Sequence, residues 1–93
     1  MTFNAKQPAV RFMLKAITEA VKDSRFTALL RLDCVEVEHE LDSRGLTVCF
    51  VMATAARADE LKGLLKPTVF KAMRKAYAEG ADSELFNVRA ISR

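Results

Sequence analysis

The sequence predicts an α+β fold in the order helix, strand, strand, kinked helix, strand, a three-stranded sheet with its helices packed on one face. Three observations predict it. Residues 32–54 read as two strands of alternating character joined by the turn Asp42-Ser43-Arg44-Gly45. The segments on either side repeat apolar residues at three- and four-residue spacing, and the last residues alternate once more.

The hairpin organises the rest. Asp42 suits the first turn position, where its carboxylate bonds the backbone ahead, and Gly45 the fourth, where positive φ is free of Cβ strain. That turn sets Leu41 opposite Leu46, His39 opposite Val48, Val37 opposite Phe50 and Val35 opposite Met52, all on one apolar face. The other face sets Glu40 with Thr47, Glu38 with Cys49 and Glu36 with Val51. A slip of one residue would bury three glutamates, so the alternation specifies the register.

Before the hairpin, residues 1–7 read as a lead-in, with Asn4 or Gln7 as cap and Pro8 in the first helical turn, where its missing N–H costs nothing. The buried stripe of the helix is Val10, Met13, Leu14, Ile17, Ala20 and Val21, opposite Arg11, Lys15, Glu19, Lys22 and Asp23. Phe12 falls off that stripe and belongs at the core rim. Residues 24–30 end the helix and return the chain to the sheet, Phe26 plugging one end of the core.

After the hairpin, Thr54 is placed to cap a helix whose first turn holds Asp59 and Glu60, acids suited to the positive end of the helix dipole. Its stripe runs Ala58, Leu61, Leu65, Val69, Ala72 and Ala76. Pro67 removes a backbone hydrogen bond in mid-course and predicts a kink or a helix-break-helix. Gly80 closes the helix, residues 81–83 link, and residues 85–91 form the third strand, with Phe86, Val88 and Ala90 inward and Asn87 and Arg89 outward.

Ninety-three residues, 51% of them hydrophobic, make one domain over residues 1–93 with enough apolar material for a two-layer core. Apolar runs break within about ten residues, too short for a bilayer. The first twenty residues lack the basic start, apolar block and small-residue cleavage site of a secretion signal, so the expected address is cytoplasmic. With Cys34 opposite Ala53 and Cys49 opposite Glu38, the sulfurs lie on the order of 13 Å apart along the hairpin. A disulfide needs Cα atoms within roughly 7 Å, so free thiols and a reducing compartment are expected.

No catalytic constellation assembles. His39 points into the apolar face, and Cys49 beside Glu38 is a poor nucleophile because a carboxylate raises a thiol pKa. Two cysteines and a histidine on the opposite face do not make a zinc site, and Gly45, Gly63 and Gly80 stand alone, so no phosphate loop, metal or cofactor is expected. The chain reads as a binding module rather than an enzyme.

Charge is segregated: the hairpin residues 33–44 sum to −4, residues 57–79 to +3 and residues 6–25 to +3. On the second helix Lys66, Phe70, Arg74 and Tyr77 follow at helical spacing, with Lys71 and Lys75 beside them. Cations interleaved with aromatics suit a phosphate backbone and stacked bases, so RNA is one candidate partner. The same residues also fit a solvated face with Phe70 and Tyr77 tucked against the sheet edge or first helix. On the open sheet face Glu36, Glu38 and Glu40 flank Cys49 and Val51, a strip more apolar than solvation requires. A partner protein or a second copy bringing Arg89, Arg31 or helix cations fits it, as does Arg89 reaching the glutamates within one molecule. Protein interaction or self-association is the leading function, with RNA binding as the alternative.

The opening MTFNAKQPAVRFM resembles a family of small proteins of Burkholderia-type bacteria whose domain has no assigned function, which implies a cytoplasmic protein and no particular site. The element order resembles ribosome-binding factor A, an RNA-binding assembly factor with a type II KH fold. That resemblance is carried by Lys22-Asp23-Ser24-Arg25-Phe26, by Val35 to Val51 across the hairpin and by Ser83-Glu84-Leu85. It implies RNA binding, but Leu65-Lys66-Pro67-Thr68 stands where the KH family's Gly-x-x-Gly loop clamps the backbone, so no binding residue carries over.

Overall fold

The alternation in the hairpin becomes strands β2 (Cys34–Asp42) and β3 (Gly45–Met52), antiparallel, with Leu41, His39 and Val37 opposite Leu46, Val48 and Phe50 as the pattern requires. Gly45 takes a φ of 106°, the left-handed region that the turn demands of its last position. The computed structural model describes residues 2–4, 7–43, 45–78 and 86–93. The expected third strand, here β4 (Phe86–Ser92), lies parallel to β3 on its far side, with Phe86, Val88 and Ala90 opposite Leu46, Val48 and Phe50. A strand β1 (Thr2–Asn4) adds to the other side of β2, so residues expected as a lead-in instead extend the sheet to the order β1-β2-β3-β4.

One break in the register matters. Val35 does not face Met52; the ladder shifts between Cys34 and Glu36, and Cys34 pairs with Met52. This extra residue is a β-bulge, which turns Cys34 to the core and leaves Val35 outside.

The first helical segment is two helices, α1 (Pro8–Val21) and α2 (Ser24–Leu32). Proline takes the first position of α1 as expected, and Gln7 stands at the cap without a side-chain bond. Lys22 closes α1 in a left-handed conformation at φ 55°, its N–H donating to the Thr18 carbonyl. Asp23 then caps α2, its Oδ1 accepting from the backbone N–H groups of Arg25 and Phe26 at 3.0 Å each. Residues 24–30 thus form a helix of their own rather than a return segment, and the reason is this cap.

The second helical segment breaks at Leu65-Lys66 into α3 (Ala55–Leu64) and α4 (Pro67–Ala78), the interruption that Pro67 predicts. Thr54 caps α3 by accepting from the Arg57 N–H at 3.2 Å. Because α3 starts at Ala55, Asp59 and Glu60 fall in its second turn, not its first. Glu60 instead receives Arg57 at 2.7 Å and Arg25 at 3.5 Å, tying α3 to α2, while Arg57 also reaches Asp33 at 3.8 Å.

All four helices pack on one face. Leu14, Ile17, Phe26, Leu29, Leu30, Ala58, Leu61, Val69 and Met73 meet Val37, Val48, Phe50, Met52, Phe86 and Ala90 in a single cluster. Two stripes shift from expectation. Ala20 is exposed, and in α4 the stripe passes from buried Val69 to buried Met73 at a spacing of four, leaving Ala72 half-buried. Gly80 and the link 81–83 lie outside the described residues, as do the side chains of Val10, Met13 and Ala76.

Candidate functional site

Among the described residues the large hydrophobic side chains left in solvent are Phe12 at 77% exposure, Leu32 at 80% and Val35 at 48%. They are not scattered. All three line one groove of about 1420 Å³ bounded by α1, α2 and the start of β2.

Each wall follows from local sequence. On α1, Pro8, Arg11, Phe12, Lys15, Thr18 and Glu19 share the groove side because they recur at intervals of three and four. The core stripe of Ile17 and Val21 occupies another side of the same helix, and Leu14 stands between the two, in the core and at the edge of the groove. On α2, Thr27, Leu30, Arg31 and Leu32 form the second wall, and Leu32 ends the helix just before the Asp33 turn. The floor is the bulge, where Cys34, Val35 and Glu36 come into the groove together. Arg11, Lys15 and Arg31 are exposed and have no salt-bridge partner among the described residues; Glu36 is engaged by Arg93 at 3.0 Å.

The sheet face away from the helices is closed by its own chain. Cys49 is 7% and Val51 2% exposed, although no helix lies over them. Arg93, just beyond β4, reaches across β3 to pair with both Glu36 and Glu38 on β2. Glu36, which it pairs with, lies opposite Val51, and Val51 lies opposite Ile91, so the ion pair bridges the two strands on either side of β3. Long charged side chains cover small apolar ones here with their stems. The expected contact of Arg89 with the glutamates is made by Arg93; Arg89 is exposed and in no ion pair among the described residues. Of the interface candidates, Glu40 is exposed, Glu36 and Glu38 are half-buried, and Cys49 and Val51 are buried.

On α4, Lys71 and Lys75 are exposed, as is Lys66 in the break before it, and Arg74 is half-buried. Phe70 turns inward, packing on the core with its ring 5.6 Å from that of Phe86. The ring is thus half-buried, one side of it taken up by the core. The Tyr77 side chain lies outside the described residues. A smaller cleft of about 320 Å³ separates the end of α3 from β4 at Lys62, Leu65 and Val88–Ile91, with no titratable group but Lys62 and Arg89.

Burial holds the His39 imidazole below its ordinary value, and His39 lies opposite Val48 as expected. Burial pushes the Cys34 thiol up to about 11, although Cys34 Sγ donates to the Glu36 carbonyl at 3.4 Å, and burial raises Cys49 as well. Thiols held protonated are weak nucleophiles. The two are unbridged and lie on opposite faces of the sheet. Among the described residues no three of His, Cys, Asp or Glu cluster to hold a metal ion, and no helix is long and apolar enough to cross a membrane.

The groove residues escaped the sequence reading for a physical reason. Phe12 stands beside Met13-Leu14 and Leu32 just after Leu29-Leu30, so composition does not single them out from buried Leu14, Leu29 and Leu30. The available signal was Asp23 as a helix cap, which separates α2 and brings Leu32 to its end. Comparison of the chain with protein-family models, curated proteins and solved structures finds no match. Any functional reading therefore rests on this geometry.

Proposed function

We propose that the protein is a non-catalytic interaction module that docks a protein through the α1–α2–β2 groove. The supporting observation is the convergence of Phe12, Leu32 and Val35, the large exposed hydrophobics among the described residues, in one concavity. Covering a Phe or Leu side chain contributes about 1.5–3 kcal/mol, while association costs at least about 4 kcal/mol. Two such anchors fit a reversible contact rather than a permanent one. The protonated thiols and the half-buried imidazole favour binding over catalysis. Unbridged Cys34 and Cys49 support a reducing, cytoplasmic setting.

RNA binding through Lys66, Lys71 and Lys75 is the second reading, favoured by their exposure on and beside α4. With Phe70 half-buried against the core it would rest on phosphate contacts and so on low salt.

The test is capture from a lysate by tagged wild-type protein and by a Phe12→Ser, Leu32→Ser variant, with and without nuclease. The expected result is a set of proteins held by the wild type, lost with the variant and indifferent to nuclease. Retention that the variant keeps and nuclease abolishes would replace this reading with the RNA one.

A further inference from the structure

Resting on the docking reading above, we infer that the groove takes a short acidic amphipathic helix of a partner protein, with apolar anchors toward Phe12, Leu32 and Val35 and carboxylates toward Arg11, Lys15 and Arg31. The charge of the rim carries this. Among the described residues three cations without an ion pair, Arg11, Lys15 and Arg31, face the groove against two carboxylates, Glu19 and Glu36, and Glu36 is already engaged by Arg93.

The shape agrees. The α1 wall runs from Pro8 to Glu19, about 16 Å at 1.5 Å per residue, the length of a three-turn helix. Arg11 and Lys15 lie one turn apart along it, flanking Phe12, so a docked helix with acids at i and i+4 beside its apolar stripe matches both.

Two other occupants fit less well. A second copy docked groove to groove would set each cation triad against its twin, and all four helices of the described chain lack an acid in the first turn. Of the chain's own glutamates on β2, Glu36 and Glu38 are tied to Arg93, and Glu40, which is exposed, sits on a strand rather than on a helix. Single-stranded RNA would find one aromatic, Phe12, beside aliphatic Leu32 and Val35, which offer no π-face for stacking.

The experiment titrates isotopically labelled full-length protein with three synthetic peptides that share leucines at i, i+4 and i+7 and carry glutamate, glutamine or lysine elsewhere, and with a short mixed RNA, at low and high salt. The expected result is amide shifts at residues 11–15 and 31–35 with the glutamate peptide. Its affinity should exceed that of the lysine peptide at least tenfold, with the gap narrowing at high salt. An Arg11→Glu, Lys15→Glu variant, altered only at exposed positions, should reverse the preference while unfolding at the same temperature. Equal binding of all three peptides overturns the acidic partner and leaves groove docking standing. Preference for the lysine peptide, or groove shifts with RNA alone, overturns it likewise. No groove shift with any probe overturns both this inference and the docking reading.

Discussion

The sheet face and the groove both carry apolar side chains outside the main core, yet they end in opposite states. On the sheet face Val51 and Cys49 are small and flat against the strands, and one arginine with two glutamates covers them. In the groove Phe12 and Leu32 project from helix surfaces and Val35 is put outside by the bulge, and no ion pair among the described residues holds a long cation across them. The difference teaches that residue type does not decide exposure. What decides it is whether a long neighbour can lay its stem across the site.

The largest test of this comparison is a charge placed on each surface. Val51→Asp would bury a carboxylate beside Glu36 and Glu38, and urea unfolding should show a loss of about 3 kcal/mol or more. Leu32→Asp in the groove should change stability by no more than about 0.5 kcal/mol. Equal losses would mean that the groove is as closed as the sheet.

Alkaline pH gives a second contrast. The Cys34 thiol ionises near 9.0 when unfolded and is pushed up to about 11 when folded, so the folded state binds the proton more tightly. Its contribution, about 2–3 kcal/mol, is fully present below pH 9 and is lost as pH rises through 11. Unfolding free energy should fall across that window in the wild type and fall less in Cys34→Ala.

Removing the cover is a smaller perturbation. Arg93→Ala should cost about 0.5–1 kcal/mol, the ion pairs being half-exposed, and should speed reaction of Cys49 with a thiol reagent more than that of Cys34. A Phe12→Ser change should have the smallest effect on stability, within about 0.5 kcal/mol, while abolishing peptide shifts in the groove.

Much of the fold was legible because opposed demands met at single residues. Three glutamates and their apolar neighbours admit one register over Glu36–Asp42, and Pro67 admits no continuous helix. The bulge was not legible, since Cys34 and Val35 are both apolar and either satisfies an inward position. Nor was the end of α1, where Lys22 takes the left-handed conformation with no glycine to announce it. Met73 was missed because Ala72 and Met73 both stand about one turn from Val69, and spacing alone does not choose between them. The groove needed all of these at once: a split between α1 and α2, a bulge in β2, and three residues far apart in sequence. Its basic rim, by contrast, was visible as charge without a location.

The most direct test is methyl- and ring-resolved NMR relaxation with a soluble paramagnetic agent. The account predicts strong relaxation of Phe12, Leu32 and Val35 and near-protection of Val51, with Val51 becoming accessible in Arg93→Ala. Val51 relaxed as strongly as Leu32 in the wild type would contradict it, returning the sheet face as the open surface.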